Sequence, residues 1–216
     1  MNGAQPQLDY LTPEEYLAGE RLAETKSEYF AGEVYAFAGT TWDHGLIVGN
    51  LVREIGTQFK GRSCQVCPTD LRVQVSPDGP YTYPDVVAVC GEPRFVDDQF
   101  DTLLNPTAII EVLSDSTEAR DRGWKLRHYQ KLASVEEIVL VAQDLVRVEQ
   151  YIRQPGGLWL MWSTEDMDDV LRMPAIQCEV PLREIYDKVE FLAPAAAEAL
   201  TAAEDGAPSD PEEGSQ

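Results

Sequence analysis

Tyr83-Pro84-Asp85-Val86-Val87-Ala88-Val89 places an aspartate at the head of an apolar run, and Ala108-Ile109-Ile110-Glu111-Val112-Leu113 carries a glutamate inside a second one. Short runs rich in Val and Ile, bounded by Pro and Gly, predict buried strands. Pro84 is tolerated because it falls at a strand start. Side chains alternate along a strand, so Ile109, Glu111 and Leu113 share one face, and Asp85 shares a face with Val87 and Val89. A carboxylate among aliphatic side chains is costly unless it is paired, protonated or bound to a cation. Two of them on strands that can be neighbours point to a divalent metal with oxygen ligands. The plainer alternative is that each pairs with an arginine or caps a turn.

Outward from this pair, the chain alternates helical and extended patterns. Residues 1–10 are polar and read as a flexible N-terminus. Thr12-Pro13-Glu14-Glu15 has the form of a capping box with Pro at the first helical position. Helical character is expected to continue, with a break, from Glu20 to Tyr29, followed by a strand over Glu33–Ala38. Ile47, Leu51, Ile55 and Phe59 recur every four residues and predict one buried stripe on a helix over Asp43–Lys60. Gly45 and Gly49 on that helix suggest close packing against a sheet. Leu71–Val75 alternates apolar and polar residues. After Leu113, the Ser114–Glu118 stretch offers N-caps, with Asp115 favoured, for a helix to about Leu132. That helix carries Arg120, Arg122, Lys125, Arg127 and Lys131, and its plain reading is a solvated basic face with Asp121 and Lys125 paired at the surface. Beyond it come a buried strand over Glu137–Ala142 and a hairpin around Gln154-Pro155-Gly156-Gly157. Residues 163–175 read as an acidic loop, and a short strand over Ile176–Val180 follows. From residue 193 to 216 the composition predicts an acidic disordered tail.

The totals restrict what the chain can be. Its 216 residues with 44% hydrophobic content suit one globular domain, assigned to 11–192. No apolar run has the length of a membrane span, and no basic-then-apolar leader opens the chain, so no membrane partner and a cytoplasmic location are expected. The four cysteines, Cys64, Cys67, Cys90 and Cys178, contain one C-x-x-C without a second pair. Reduced, packed thiols are therefore expected rather than a zinc site. The net charge of −21 opposes nucleic-acid phosphates. A nucleic-acid partner then requires local basic residues, metal ions or another subunit.

In order and spacing, several stretches resemble the PD-(D/E)XK nuclease superfamily and, more closely, the Uma family of proposed restriction endonucleases. They are Glu28-Tyr29 with Gly32-Glu33-Val34-Tyr35, His44 with Gly49-Asn50-Leu51, Asp70-Leu71-Arg72-Val73, Tyr83-Pro84-Asp85-Val86, Ile110-Glu111-Val112-Leu113-Ser114, and Arg122-Gly123 with Lys125 and Tyr129. The likeness runs from about Leu11 to Gln154. It implies a mixed α/β (α+β) fold with a restriction-endonuclease-like core, a central mixed β-sheet flanked by helices. It also implies a DNA endonuclease that hydrolyses phosphodiester bonds with Mg²⁺ or Mn²⁺. Asp85 and Glu111 would be the metal ligands, and Lys125 the catalytic amine. Glu33, Asp70, His44 and Tyr129 are candidate additional members, while Glu28 reads as a surface acid and His44 as a structural hydrogen-bonder. The superfamily motif calls for Lys two residues after the glutamate, where this chain has Leu113. That departure and the acidic surface keep a second reading open, a catalytically inactive binding or regulatory module on the same fold. A homodimer is expected if both strands of a duplex are cut.

Overall fold

The computed structural model describes residues 10–36, 39–68 and 70–191. The N-terminal residues 1–9 and the tail from 192 onward, including the acidic segment, lie outside the described residues, as do Phe37 and Ala38 at the end of the strand expected over Glu33–Ala38.

The chain opens with α1 (Pro13–Glu20), capped at Thr12 by the reciprocal Thr12 and Glu15 bonds of a capping box. The helix stops there. Glu20 turns its carboxylate onto the Ser27 amide and hydroxyl, and Ser27–Phe30 is a strand, β1, not the expected helical continuation. It forms a hairpin with β2 (Glu33–Ala36) through Ala31-Gly32, both at positive φ. A Cβ at Gly32 would lie 2.4 Å from the Tyr10 ring, so this turn requires glycine. Next come α2 (Trp42–Phe59), β3 (Cys64–Pro68), β4 (Arg72–Gln74), β5 (Tyr81–Thr82), β6 (Val86–Cys90), β7 (Thr102–Leu103) and β8 (Ala108–Leu113). A broken helix follows: α3 (Glu118–Arg120), a wide π turn (Asp121–Lys125) interrupted at Gly123, and α4 (Leu126–Tyr129). Thr117, not Asp115, precedes it, and no side chain caps it. The described residues continue with β9 (Glu137–Ala142), β10 (Val148–Arg153), β11 (Trp159–Thr164), β12 (Val170–Met173), β13 (Cys178–Pro181) and α5 (Leu182–Ile185). The expected loop over 163–175 thus contains β12, because Leu171 and Met173 are buried in a hairpin with β13.

This is a mixed α+β fold around a six-stranded sheet of order β11-β10-β9-β8-β6-β3. Its β8–β9 pair is parallel and its other pairs are antiparallel. The strand alternation creates two cores. Val86, Ala88, Ile110 and Val112 face Ile47, Leu51, Ile55 and Phe59 of α2. Val87, Val89, Ile109 and Leu113 face Tyr129 and, from a five-stranded sheet of order β2-β1-β5-β4-β7, Val73 and Leu103. Gly45 and Gly49 lie on the exposed side of α2. A Cβ at Gly49 would meet nothing within 4 Å, so these glycines are not the packing contacts the sequence suggested.

The cysteines also depart from expectation. Cys64 and Cys90 are opposite each other in the β3–β6 ladder and are joined by a disulfide. Cys67 is exposed and Cys178 buried. A 26-residue separation hides a pairing that only the strand register reveals. Among the described residues, no helix is long and apolar enough to cross a membrane.

One buried acid makes stability depend on pH. Glu137 in β9 is fully enclosed, and burial pushes its carboxyl up to about 7, although Gln150 Nε2 and the Ala175 amide donate to it. A folded-state value above the unfolded 4.5 means that the native state binds the extra proton. The resulting stability is complete below the unfolded value and drains away as pH rises through about 7. Glu137→Gln removes this dependence. Its advantage over the parent should grow from near zero in acid to at most about 3 kcal/mol in mild alkali. Urea midpoints measured across that range check this, and parallel pH curves for the two proteins would refute it.

Candidate functional site

β6 and β8 run antiparallel with Val86 opposite Ile110, which brings Asp85 and Glu111 to the same level at the end of the ladder. Asp85 is fixed from two sides. Its Oδ2 accepts the Val112 amide at 2.7 Å, and His44 Nε2 lies 2.9 Å from its Oδ1, a geometry in which the imidazole N–H donates. His44 reaches it from the first turn of α2, which Thr41 caps. His44 thus both hydrogen-bonds the candidate ligand Asp85 and lines the cleft.

Glu111 is enclosed on the same face as Ile109 and Leu113. Its Oε1 accepts the Tyr129 hydroxyl at 2.7 Å and lies 3.0 Å from Lys125 Nζ. The Lys125 ammonium is also 3.0 Å from Glu28 Oε1 and 3.0 Å from Asp121 Oδ1. Three carboxylates from β1, β8 and the π turn thus surround one amine. Both Asp121 and Lys125 are buried, so they are not the surface pair that their spacing suggested. The widened turn at 121–125 points both side chains inward; such turns recur at functional sites.

Glu28 is likewise buried, not a surface acid. It accepts the Tyr83 amide at 3.2 Å, and Arg120 Nη1 lies 3.6 Å from its other oxygen. The missed signal was the strand character of Ser27–Phe30, which carries Glu28 to the β5 side of the cleft. Glu33 and Asp70 are not brought to this cluster. Glu33 is exposed and accepts the Tyr35 hydroxyl, and Asp70 is exposed beside Lys26. Leu113, where the motif wants lysine, is buried in the apolar layer, and the amine near Glu111 comes from the following helix instead.

Burial pushes the Glu111 carboxyl well above the usual carboxylate range. Lys125 opposes that shift, while Asp121, Asp85 and Glu28 add to it. Burial alone would pull the Lys125 ammonium down, but Glu111, Tyr129, Glu28 and Asp121 hold it well above an ordinary lysine. Lys125 is therefore a cation at all ordinary pH. The Tyr129 hydroxyl, raised by burial and then by Glu111, stays a phenol that donates.

The cluster floors a cleft of about 240 Å³. Thr40, Thr41, Ser114, Ser116 and Arg120 are among the residues around it. Among the described residues, no three His, Cys, Asp or Glu side chains are grouped as a metal-ligand set, and an amine lies 3.0 Å from three of the acids. The acid content nevertheless exceeds the local cations: Glu28, Asp85, Glu111 and Asp121 face Lys125 and Arg120. Asp121 Oδ1 is buried and in ionic contact with Lys125, yet it receives no properly directed hydrogen bond.

A family model described as "Uma2: Putative restriction endonuclease" matches residues 13–183. Two uncharacterised proteins of Synechocystis sp. are similar. One is 33% identical over 181 residues, covering 84% of this chain and 94% of the relative; the other is 33% identical over 151 residues, covering 70% and 85%. A crystal structure from Anabaena variabilis, titled as a "putative nuclease" of DUF820, superposes with a TM-score of 0.67 at 19% identity, over 83% of this chain and 99% of that one. That likeness is one of fold. With the family model spanning most of its length and relatives aligned along most of theirs, this chain belongs to the Uma2 family.

Proposed function

We propose that this chain is an endonuclease that hydrolyses DNA phosphodiester bonds with a divalent cation, Mg²⁺ or Mn²⁺. The observation that carries this reading is the convergence of Asp85, Glu111 and Lys125 at the floor of one cleft. The donor set fits a hard divalent cation: it is made of carboxylate oxygens, it carries more negative charge than its own cations offset, and it leaves Asp121 Oδ1 without a directed donor. Asp85 and Glu111 would hold the ion. When bound, such an ion polarises a phosphate oxygen and lowers the pKa of a coordinated water.

The chain's own residues supply the rest. The Val112 amide and His44 fix the Asp85 carboxylate in one orientation. Tyr129 does the same for Glu111. The Lys125 ammonium, permanently charged, orients a water or stabilises charge developing on the phosphate oxygens. Arg120, part-exposed beside Glu28, offers a cation toward the nucleic-acid backbone in an otherwise acidic protein.

One observation favours a second reading, a binding or regulatory module without catalysis. Lys125 contacts three acids at once and stands where a cation would. Incubation of purified protein with plasmid and Mg²⁺ or Mn²⁺, beside Asp85→Ala, separates the two. The nuclease reading expects cleavage by the parent and none by the variant. Equal cleavage by both, or none by either across several DNA substrates, counts against it.

A further inference from the structure

β11 is an end strand of the six-stranded sheet, and among the described residues nothing pairs with its outer side. Long, flat, apolar edges invite pairing, and proteins that stay monomeric blunt them with Lys, Pro or a bulge. β11 pairs with β10 without a bulge over six residues and contains neither Lys nor Pro. It also exposes large apolar side chains: Leu160 at 55% and Met161 at 48%, with Leu158 at 71% just before it. Ile152, Leu160, Trp162, Val170 and Met173 line a depression of about 710 Å³ beside this edge, with the Arg172–Glu179 ion pair at it. Residues 154–164 carry no charge, in a chain whose net charge is −21.

We infer that β11 is the dimer interface of this protein, pairing antiparallel with β11 of a second copy across a two-fold axis. The charge distribution selects that occupant. Two strongly acidic copies approach most easily through an uncharged strip. The strip is also flanked by opposite charges at its two ends. At its start, Arg153 lies opposite Trp159, with its guanidinium over the indole. That guanidinium donates to the carbonyls of Gln130, Leu132 and Val135 and has no carboxylate partner among the described residues. At its other end, Glu165 and Asp166 are exposed. Antiparallel docking brings Glu165 and Asp166 of one copy to the end of the other's β11 that lies beside Arg153, twice over. Parallel docking would set acids against acids. A two-fold contact uses each edge once and closes, so it yields a dimer rather than a fibre. This interface stands apart from the nuclease reading and holds whether or not the cleft is catalytic.

Sedimentation velocity of the full chain over a range of concentrations tests it, with Leu160→Glu/Met161→Glu as the interface variant and Leu22→Glu, an exposed residue far from β11 in sequence, as the control. The parent and the control are expected to dimerise, and the double variant to associate at least about a hundredfold more weakly. Hydrogen exchange of the 159–164 amides gives an independent measurement. Their protection should rise with protein concentration in the parent. A parent that stays monomeric, a dimer that survives the double substitution, or protection that does not change with concentration, as when a segment of the same chain covers the strand, would overturn the assignment.

Discussion

Lys125→Met is expected to lower the unfolding free energy by about 3–5 kcal/mol, because it leaves buried carboxylates without their counter-ion. The ammonium lies 3.0 Å from Glu28, Glu111 and Asp121, and neither it nor any of these acids is appreciably exposed. Methionine matches the stem and removes only the charge. A loss of that size is a large part of a typical domain's stability. It should also vary with pH in a known direction. Without the amine, nothing offsets the burial that already raises the Glu111 carboxyl, so the native state holds an extra proton there. The variant is then least impaired in acid and loses stability as pH rises. Lys131→Met, an exposed lysine two residues beyond α4, is the control and should change stability by less than about 0.5 kcal/mol. Urea unfolding of the three proteins makes the comparison. A Lys125→Met loss no larger than that of the control would mean that the amine does not neutralise the cluster.

The second large effect is expected from Glu111→Gln. If the cleft hydrolyses phosphodiesters, this nearly isosteric change should reduce plasmid cleavage by roughly 10²–10³-fold or more, the scale of losing a group that stabilises transition-state charge. Stability should respond differently. Burial already pushes the Glu111 carboxyl up, so an uncharged amide relieves a strained acid, while Lys125 keeps Glu28 and Asp121. The unfolding free energy is expected to stay within about 1 kcal/mol of the parent. Activity lost with stability retained marks a group kept for chemistry. Activity retained, or activity and stability lost together, would show that Glu111 serves the fold.

What the sequence displayed was mostly local. The apolar runs at 86–90 and 108–113, the four-residue stripe from Ile47 to Phe59 and the Thr12 capping box are periodic or short-range signals, and each has its counterpart in the structure. Asp85 and Glu111 stood out for the same reason: an acid inside an aliphatic run is visible without knowing what lies opposite. The remainder depended on partners distant in sequence. Ser27–Phe30 looked helical because its strand identity comes from pairing with β2 and β5, so Glu28 was left on the surface. Cys64 and Cys90 meet only through the β3–β6 register. Asp121 and Lys125 read as a routine i,i+4 surface pair, because the inward-pointing π turn has no composition signal apart from Gly123. Val170–Met173 sits in an acidic stretch, and its burial is fixed by β13 and the α2 core.

The most direct test of the central claim is calorimetric titration of the intact protein with Mn²⁺ and Mg²⁺, beside Glu111→Gln. The account predicts saturable binding by the parent and its loss in the variant, whose fold is checked by circular dichroism. Failure of the parent to bind either ion, or binding that Glu111→Gln leaves unchanged, would contradict it and leave these acids to Lys125 and Arg120.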